Sequence, residues 1–280
     1  MAELKKKWQI PLPHGGELVL GGRTLIMGIL NVTPDSFSDG GKYTDFEKAV
    51  AQAKAMLAAG ADIIDVGGES TRPGASYVEA NEEIARVVPV IKALAGLAPI
   101  SIDTYKPEVA LAALEAGADI INDIWGLQAP CDNGEMASLA AKYNAPVVAM
   151  HNQNGTEYAN IIEDMLEFFK NSLSIGLANG MTEEQFIFDI GFGFGKNAEQ
   201  NLYVLRKLKE FWVLGRPLFV GTSRKSTIGK ILNKEVDERI FGTAATVAIA
   251  VAGGADIVRV HDVAEMADVV KVSDSIMGRQ

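Results

Sequence analysis

The stretch Gly60-Ala-Asp-Ile-Ile-Asp-Val-Gly67 opens with a tripeptide that recurs in Gly117-Ala-Asp-Ile-Ile-Asn-Asp123 and in Gly254-Ala-Asp-Ile-Val-Arg-Val260. Each copy follows a segment of helical period and precedes a short apolar run rich in β-branched residues. A glycine just past a helix takes the left-handed conformation that ends it, and the strand then begins at once. The copies are unevenly spaced, so they mark a shared helix-to-strand junction rather than a fixed-period repeat.

Outward from these junctions, strand candidates lie at Thr24 to Leu30, Asp62 to Val66, Pro99 to Ile102, Asp119 to Asn122, Pro146 to Met150, Phe186 to Ile190, Pro217 to Val220 and Ile257 to Val260. Helical segments alternate with them: Asp45 to Ala59, Glu79 to Ala95, Pro107 to Ala116, Glu135 to Tyr143, Ile161 to Leu177, Ala198 to Phe211, Glu238 to Ala252 and Val263 to Ile276. Such alternation implies parallel strands with crossover helices. Eight βα units without a Pro-, Ser- or charge-rich linker predict an α/β fold, a single (β/α)8 TIM barrel over residues 23–280, with a doubly wound open sheet as the alternative. Residues 1–22 read as a short N-terminal hairpin or loop extension covering the barrel's N-terminal end.

Of 280 residues, 26 are Lys or Arg and 36 Asp or Glu, a net charge of −10, and the 48% hydrophobic and 22% charged contents are those of a globular chain, which excludes disorder. An acidic surface lacks the basic footprint nucleic acid requires. No apolar run reaches the roughly 20 residues of a membrane span. The lone Cys131 excludes an internal disulfide and cysteine-rich zinc sites, and a cytoplasmic location is expected.

Barrel enzymes carry their chemistry at the C-terminal ends of strands. Here those ends hold Asn31, Glu69 with Thr71 and Arg72, Asp103, Asn122 with Asp123, His151, Asp189, Lys225, and Arg259 with His261. Any one alone is most simply a cap or loop former; their convergence on one face points to a site. Arg224, Lys225, Arg259 and His261 cluster after strands seven and eight, the fold's usual phosphate site, and imply an anionic substrate. Asp103, Asn122 and Asp189 suit a polar heterocycle read through directional hydrogen bonds. Gly191-Phe-Gly-Phe-Gly-Lys196 matches neither nucleotide-loop spacing, so its glycines serve a tight turn with Phe192 or Phe194 available to a flat ligand. Three histidines and no HExxH exclude a histidine-rich metal site, whereas magnesium held partly by substrate phosphates needs few protein ligands.

Seven ordered motifs carry a resemblance to a known family: MGILNVTPDSFSDGG (Met27 to Gly41), DVGGESTRPGA (Asp65 to Ala75), SIDTYKP (Ser101 to Pro107), INDIWG (Ile121 to Gly126), DIGFGFGK (Asp189 to Lys196), GTSRKSTIGK (Gly221 to Lys230) and GTAATVAIAVAGGADIVRVHDV (Gly242 to Val263). Together the chain resembles the dihydropteroate synthases, pterin-binding transferases of folate biosynthesis. The resemblance implies condensation of 6-hydroxymethyl-7,8-dihydropterin pyrophosphate with 4-aminobenzoate, magnesium, a homodimer and sulfonamides as the family's inhibitors.

It also implies roles, position by position. Asp103, Asn122, Asp189 and Lys225 match pterin-binding positions, with Asp103, Asp189 and Lys225 catalytic and Met150 and Phe194 lining the slot. Asn31 matches the magnesium and pyrophosphate contact, and Thr71, Arg72, Arg259 and His261 the pyrophosphate contacts. Phe37, Thr71, Pro73 and Ser226 match the aminobenzoate side. The chain departs from the family at Ile190, where proline is frequent, and Asn152 to Tyr158 has no assignable role. A corrinoid-dependent pterin methyltransferase or a non-catalytic pterin-binding paralogue is the rival; neither accounts for the anion cluster and the Ser-Thr-Arg-Pro-Gly loop together.

Overall fold

A computed structural model of the chain describes residues 6–33, 42–70, 77–130 and 132–279. An antiparallel hairpin comes first, β1 (Trp8–Pro11) against β2 (Glu17–Leu20). Eight parallel strands follow: β3 (Leu25–Asn31), β4 (Ile63–Gly67), β5 (Ile100–Asp103), β6 (Ile120–Asp123), β7 (Val147–Met150), β8 (Phe186–Asp189), β9 (Leu218–Val220) and β10 (Ile257–Val260). They pair in chain order, and β10 closes the barrel on β3. The helices between them are α1 (Lys42–Ala58), α2 (Ala80–Leu94), α3 (Pro107–Ala116), α4 (Glu135–Tyr143), α5 (Ile161–Ala178), α6 (Ala198–Arg206), α7 (Ser226–Leu232) and α8 (Ile240–Gly253), and α9 (Val263–Met277) ends the cycle. The expected (β/α)8 barrel is what forms.

The three repeated junctions explain much of the closure. Gly60, Gly117 and Gly254 all adopt positive φ, at 105°, 114° and 98°. The following alanine N–H reaches back into the helix, Ala61 to Met56, Ala118 to Ala113 and Ala255 to Ala250, each at 2.9 Å. This is a left-handed C-terminal cap in every copy. The aspartate then crosses to the neighbouring strand: Asp62, Asp119 and Asp256 accept the backbone N–H groups of Ile26 (2.8 Å), Ile100 (3.0 Å) and Leu218 (2.9 Å). One tripeptide therefore stops a helix, starts a strand and pins it to its neighbour.

Two apolar layers hold the barrel. Outward strand residues such as Ile26, Leu30, Val66 and Ile102 pack beneath the helices. Inward residues near the strand starts, Met27, Ile63, Ile120, Val148, Ile187, Phe219 and Ile257, join Ile10, Leu12, Leu18 and Leu20 in a second cluster. The hairpin thus plugs the N-terminal mouth, each buried aliphatic side chain contributing about 1.5–3 kcal/mol. With that end sealed, the opposite mouth is left for ligands.

One helix differs from the sequence expectation. Ala198 to Phe211 reads as one segment, but α6 stops at Arg206 and a 3-10 turn runs over Leu208–Leu214. The buried residues there are Leu208 and Phe211, with Leu214 packed against the core, a spacing of three that eclipses side chains only in a 3-10 helix. The short α7 was not among the helical segments read from the sequence, its Ser, Thr and Gly content being that of a loop.

Candidate functional site

Parallel register places the polar strand ends side by side. Asp103 on β5 is the register partner of Asn122 on β6, and Met150 on β7 that of Asp189 on β8. Asn31 at the end of β3 pairs with Gly67, which in turn pairs with Asp103. A cavity of about 640 Å³ opens over these ends, and its lining includes Asn31, Asp103, Phe194, Lys225, Ser226, Arg259 and His261. A narrow slot of about 20 Å³ continues inward between Asn122, Met150, Asp189 and Phe194, with Asp103, Lys225 and Arg259 shared by both spaces. Phe37, Thr71, Arg72 and Pro73 lie outside the described residues.

Arg259 organises the floor. Its Nε donates to Asp65 Oδ2 at 2.6 Å and its Nη2 to Asp103 Oδ2 at 2.6 Å, while Asn122 Nδ2 donates to Asp65 Oδ2 at 3.1 Å. The far oxygens, Oδ1 of Asp65 and Oδ1 of Asp103, are buried without a hydrogen-bond partner. An acceptor of that kind costs free energy until a donor arrives, and Asp103, the one of the two that lines both spaces, is placed to receive an N–H group from a ligand. Burial pushes the Asp103 carboxyl up to about 7, Arg259 and Lys225 opposing the rise and Asp65 adding to it. Burial likewise carries Asp189 to about 6, against the Gly191 N–H and Lys225. Burial works against the Arg259 charge, but the Asp65 and Asp103 carboxylates more than offset it and raise its pKa.

The anion side divides unevenly. Ser223 Oγ accepts the His261 backbone N–H at 3.1 Å and lies 3.0 Å from its Nδ1, fixing the imidazole over the cavity. Arg224, counted with the positive cluster from the sequence, does line the cavity, but its guanidinium is paired with Asp262 (2.5 Å) and Asp237 (3.1 Å), at a positive φ of 57°. Glu69 also lines the cavity, yet its charge is met by Lys106 Nζ, which donates as well to Glu83 at 2.7 Å and to the Val78 carbonyl at 2.5 Å. That staple keeps an acid from repelling an anionic ligand.

Of the two phenylalanines offered by the sequence, Phe192 is buried in the core and borders only the inner slot, whereas Phe194 lines both slot and cavity, with Lys225 Nζ 4.0 Å from its ring centroid. The departure at Ile190 leaves the turn intact, since the Gly191 N–H donates to Asp189 Oδ1 at 2.8 Å. Asn152 to Tyr158 acquires a role: Tyr158 Oη donates to the Gly195 carbonyl at 2.6 Å, bracing the glycine loop.

The comparisons bear on this arrangement directly. The model of the pterin binding enzyme family matches residues 27–261. The chain is 53% identical to the dihydropteroate synthase of Clostridium beijerinckii over 94% of its own length and 98% of the relative's. It belongs to the dihydropteroate synthase family. Among solved structures, the Clostridium difficile synthase determined in the presence of pteroic acid superposes with a TM-score of 0.88 at 51% identity, covering 92% of this chain and 98% of that one. The Xanthomonas albilineans synthase with 4-aminobenzoic acid gives 0.89 at 39% identity, over 97% of this chain and 100% of the other. Asp65, the wholly buried partner of Arg259, opens one of the seven motifs but has no role among those the resemblance implies, although an aspartate inside the apolar run Ile63-Ile64-Asp65-Val66 is itself a signal.

Proposed function

We propose that this protein condenses 6-hydroxymethyl-7,8-dihydropterin pyrophosphate with 4-aminobenzoate to give 7,8-dihydropteroate and pyrophosphate, acting in the cytoplasm. The observation that carries the reading is the unpartnered buried carboxylate oxygen of Asp103, beside Asn122 and Arg259 in the lining of a slot that opens on a cationic cavity. Asp103, Asn122 and Asp189 receive the pterin's polar edge, Met150 and Phe194 flank its ring, and Lys225 lies at its side. Asn31, Arg259 and His261 hold the pyrophosphate, with Thr71 and Arg72 completing that side. Ser226 receives the aminobenzoate carboxylate, with Phe37, Thr71 and Pro73 around its ring.

Chemically, the bond from the pterin methylene carbon to pyrophosphate oxygen breaks first, and the electron pair leaves with the pyrophosphate. The cation left behind spreads into the dihydropterin ring, where the carboxylates of Asp103 and Asp189 stabilise it. The aromatic amine then forms the new C–N bond and gives up one proton to the departing pyrophosphate or solvent. Among the described residues no group of three His, Cys, Asp or Glu side chains is placed to hold a metal. A single amide oxygen, Asn31, fits magnesium that is carried chiefly by substrate phosphates. Bound there, magnesium would supply charge neutralisation to the leaving group. Sulfonamides compete for the aminobenzoate position.

A homodimer is supported by exposed apolar side chains on two adjacent helices. Phe241 is 80% and Ile276 77% exposed, on α8 and α9, which pack on each other, and Val272 and Ile249 extend the same pair. Among the described residues no helix is long and apolar enough to cross a membrane.

The test is pyrophosphate release and dihydropteroate formation from both purified substrates with magnesium, in the wild type and in Asp103→Ala and Arg259→Ala. Product that needs both substrates and nearly vanishes in the variants is expected; pterin binding without turnover would overturn the reading. Pyrophosphate released in a single turnover without the amine would support bond breaking before attack, and an absolute requirement for the amine would refute it.

A further inference from the structure

Beneath the glycine loop lies a charge that the reaction does not use. Lys196 is nine-tenths buried, and its Nζ reaches three neutral acceptors: His151 Nδ1 at 2.9 Å, the Gly191 carbonyl at 3.2 Å and the Phe194 carbonyl at 3.1 Å. No carboxylate forms an ion pair with it among the described residues. Burying an ammonium without an ion-pair partner is expensive, and a methionine of similar length would pack there more cheaply. The placement of the three acceptors says what the cost maintains. All belong to the segment bearing Phe194 or to the strand end beside it.

That segment cannot hold its shape alone. Gly191, Gly193 and Gly195 all have positive φ, at 61°, 90° and 55°. A Cβ at Gly191 would stand 2.0 Å from the His151 carbonyl oxygen, so the loop lies directly on the end of β7. Between the glycines, Phe194 projects toward the cavity with the Lys225 ammonium over its ring. We infer that Lys196 is a positioning residue for the pterin half of the site, its buried ammonium tying Gly191 and Phe194 to His151 so that the Phe194 ring is held opposite Lys225.

The surrounding charges agree with this. His151 accepts at Nδ1 and is kept neutral by burial and by Lys196, its pKa driven down to about 2. Burial also lowers Lys196 itself to about 7, with Asp189 opposing the fall and Lys225 adding to it. Outside this ring of contacts, Asn201 Oδ1 accepts the Gly193 N–H at 2.6 Å and Asn201 Nδ2 donates to the Lys196 carbonyl at 3.2 Å, so the loop is braced from both faces.

The inference rests on the proposed pterin site and is tested by a coupling experiment. Binding of 6-hydroxymethylpterin, a neutral probe without the diphosphate, is measured by calorimetry for wild type, Lys196→Met, Phe194→Ala and the double variant, alongside the KM for 4-aminobenzoate. Losing a charge-assisted tether, Lys196→Met should weaken the pterin about tenfold, with the aminobenzoate KM moving less than about twofold. Most of the effect should vanish in the Phe194→Ala background, because Lys196 acts through that ring. Unchanged pterin affinity in Lys196→Met, or losses that multiply in the double variant, would overturn the inference. If Lys196→Met does not fold, Lys196→Leu, which likewise removes every donor, replaces it with the same criteria. Wild-type protein that binds no pterin would instead bring down the functional reading.

Discussion

Asp103→Asn separates what the site needs from what the fold prefers. Asp103 is almost wholly buried, one oxygen bonded to Arg259 and the other without a partner. Its carboxyl is raised from 3.8 to about 7, chiefly by burial. At 1.36 kcal/mol per pH unit, the ionised form then costs the folded state about 4 kcal/mol above neutral pH. Because the folded value exceeds the unfolded one, the folded protein binds more protons between pH 3.8 and about 7, and this group's contribution to stability falls as pH rises through that window. Asparagine removes the cost while Arg259 keeps Asp65 as its ionic partner. Allowing half the gain to be lost to poorer geometry at Arg259, the variant should be about 2 kcal/mol more stable at pH 8, with Tm higher by about 4 °C. The advantage should shrink toward zero near pH 4, where both forms are neutral. Urea unfolding of wild type and variant at pH 4, 5.5 and 8 measures this, and turnover by the same samples should nearly vanish. A variant less stable than wild type at pH 8, or a difference independent of pH, would refute the burial argument.

Other consequences follow from neighbouring geometry. Activity on the pterin substrate, read as kcat/KM, should fall as pH drops below about 7, where Asp103 protonates, and further near 6, where Asp189 does; a profile flat down to pH 5 would contradict those assignments. Gly191→Ala places a Cβ 2.0 Å from a carbonyl at a φ of 61°, so denaturation should show a loss of about 2–3 kcal/mol, with pterin affinity reduced in calorimetry. Lys106→Met strands Glu69 and Glu83, whose side chains are only 10% and 1% exposed, and chemical unfolding should report about 3–5 kcal/mol of destabilisation. Phe241→Glu should shift the protein toward monomer in sedimentation equilibrium while leaving its circular dichroism unchanged; an unchanged mass would argue against the α8–α9 face as the dimer contact.

The barrel was legible because its determinants are local. Strand and helix periods, and the glycine that ends a helix and starts a strand, act within a few residues, while Asp62, Asp119 and Asp256 reach back to the preceding strand across 36, 19 and 38 positions. The site's inventory was legible for a related reason: βα alternation puts every strand's last residues on one face, so the sequence alone groups Asn31, Asp103, Asn122, Asp189 and Arg259. The break after Arg206 escaped because the choice between 3.6 and 3.0 residues per turn rests on which side chains meet the core.

By itself, then, the sequence determined the βα succession, the junction chemistry and the residue types crowded at one mouth. Only the tertiary structure decided how those residues divide their charge. Arg259 meets Asp65 across 194 positions and Asp103 across 156, Lys196 meets His151 across 45, and Arg224 at the cavity wall meets Asp262, 38 positions on. Pairings at such separations are set by barrel closure, and in a buried site the partner a charge finds determines whether it serves the fold or waits for a ligand.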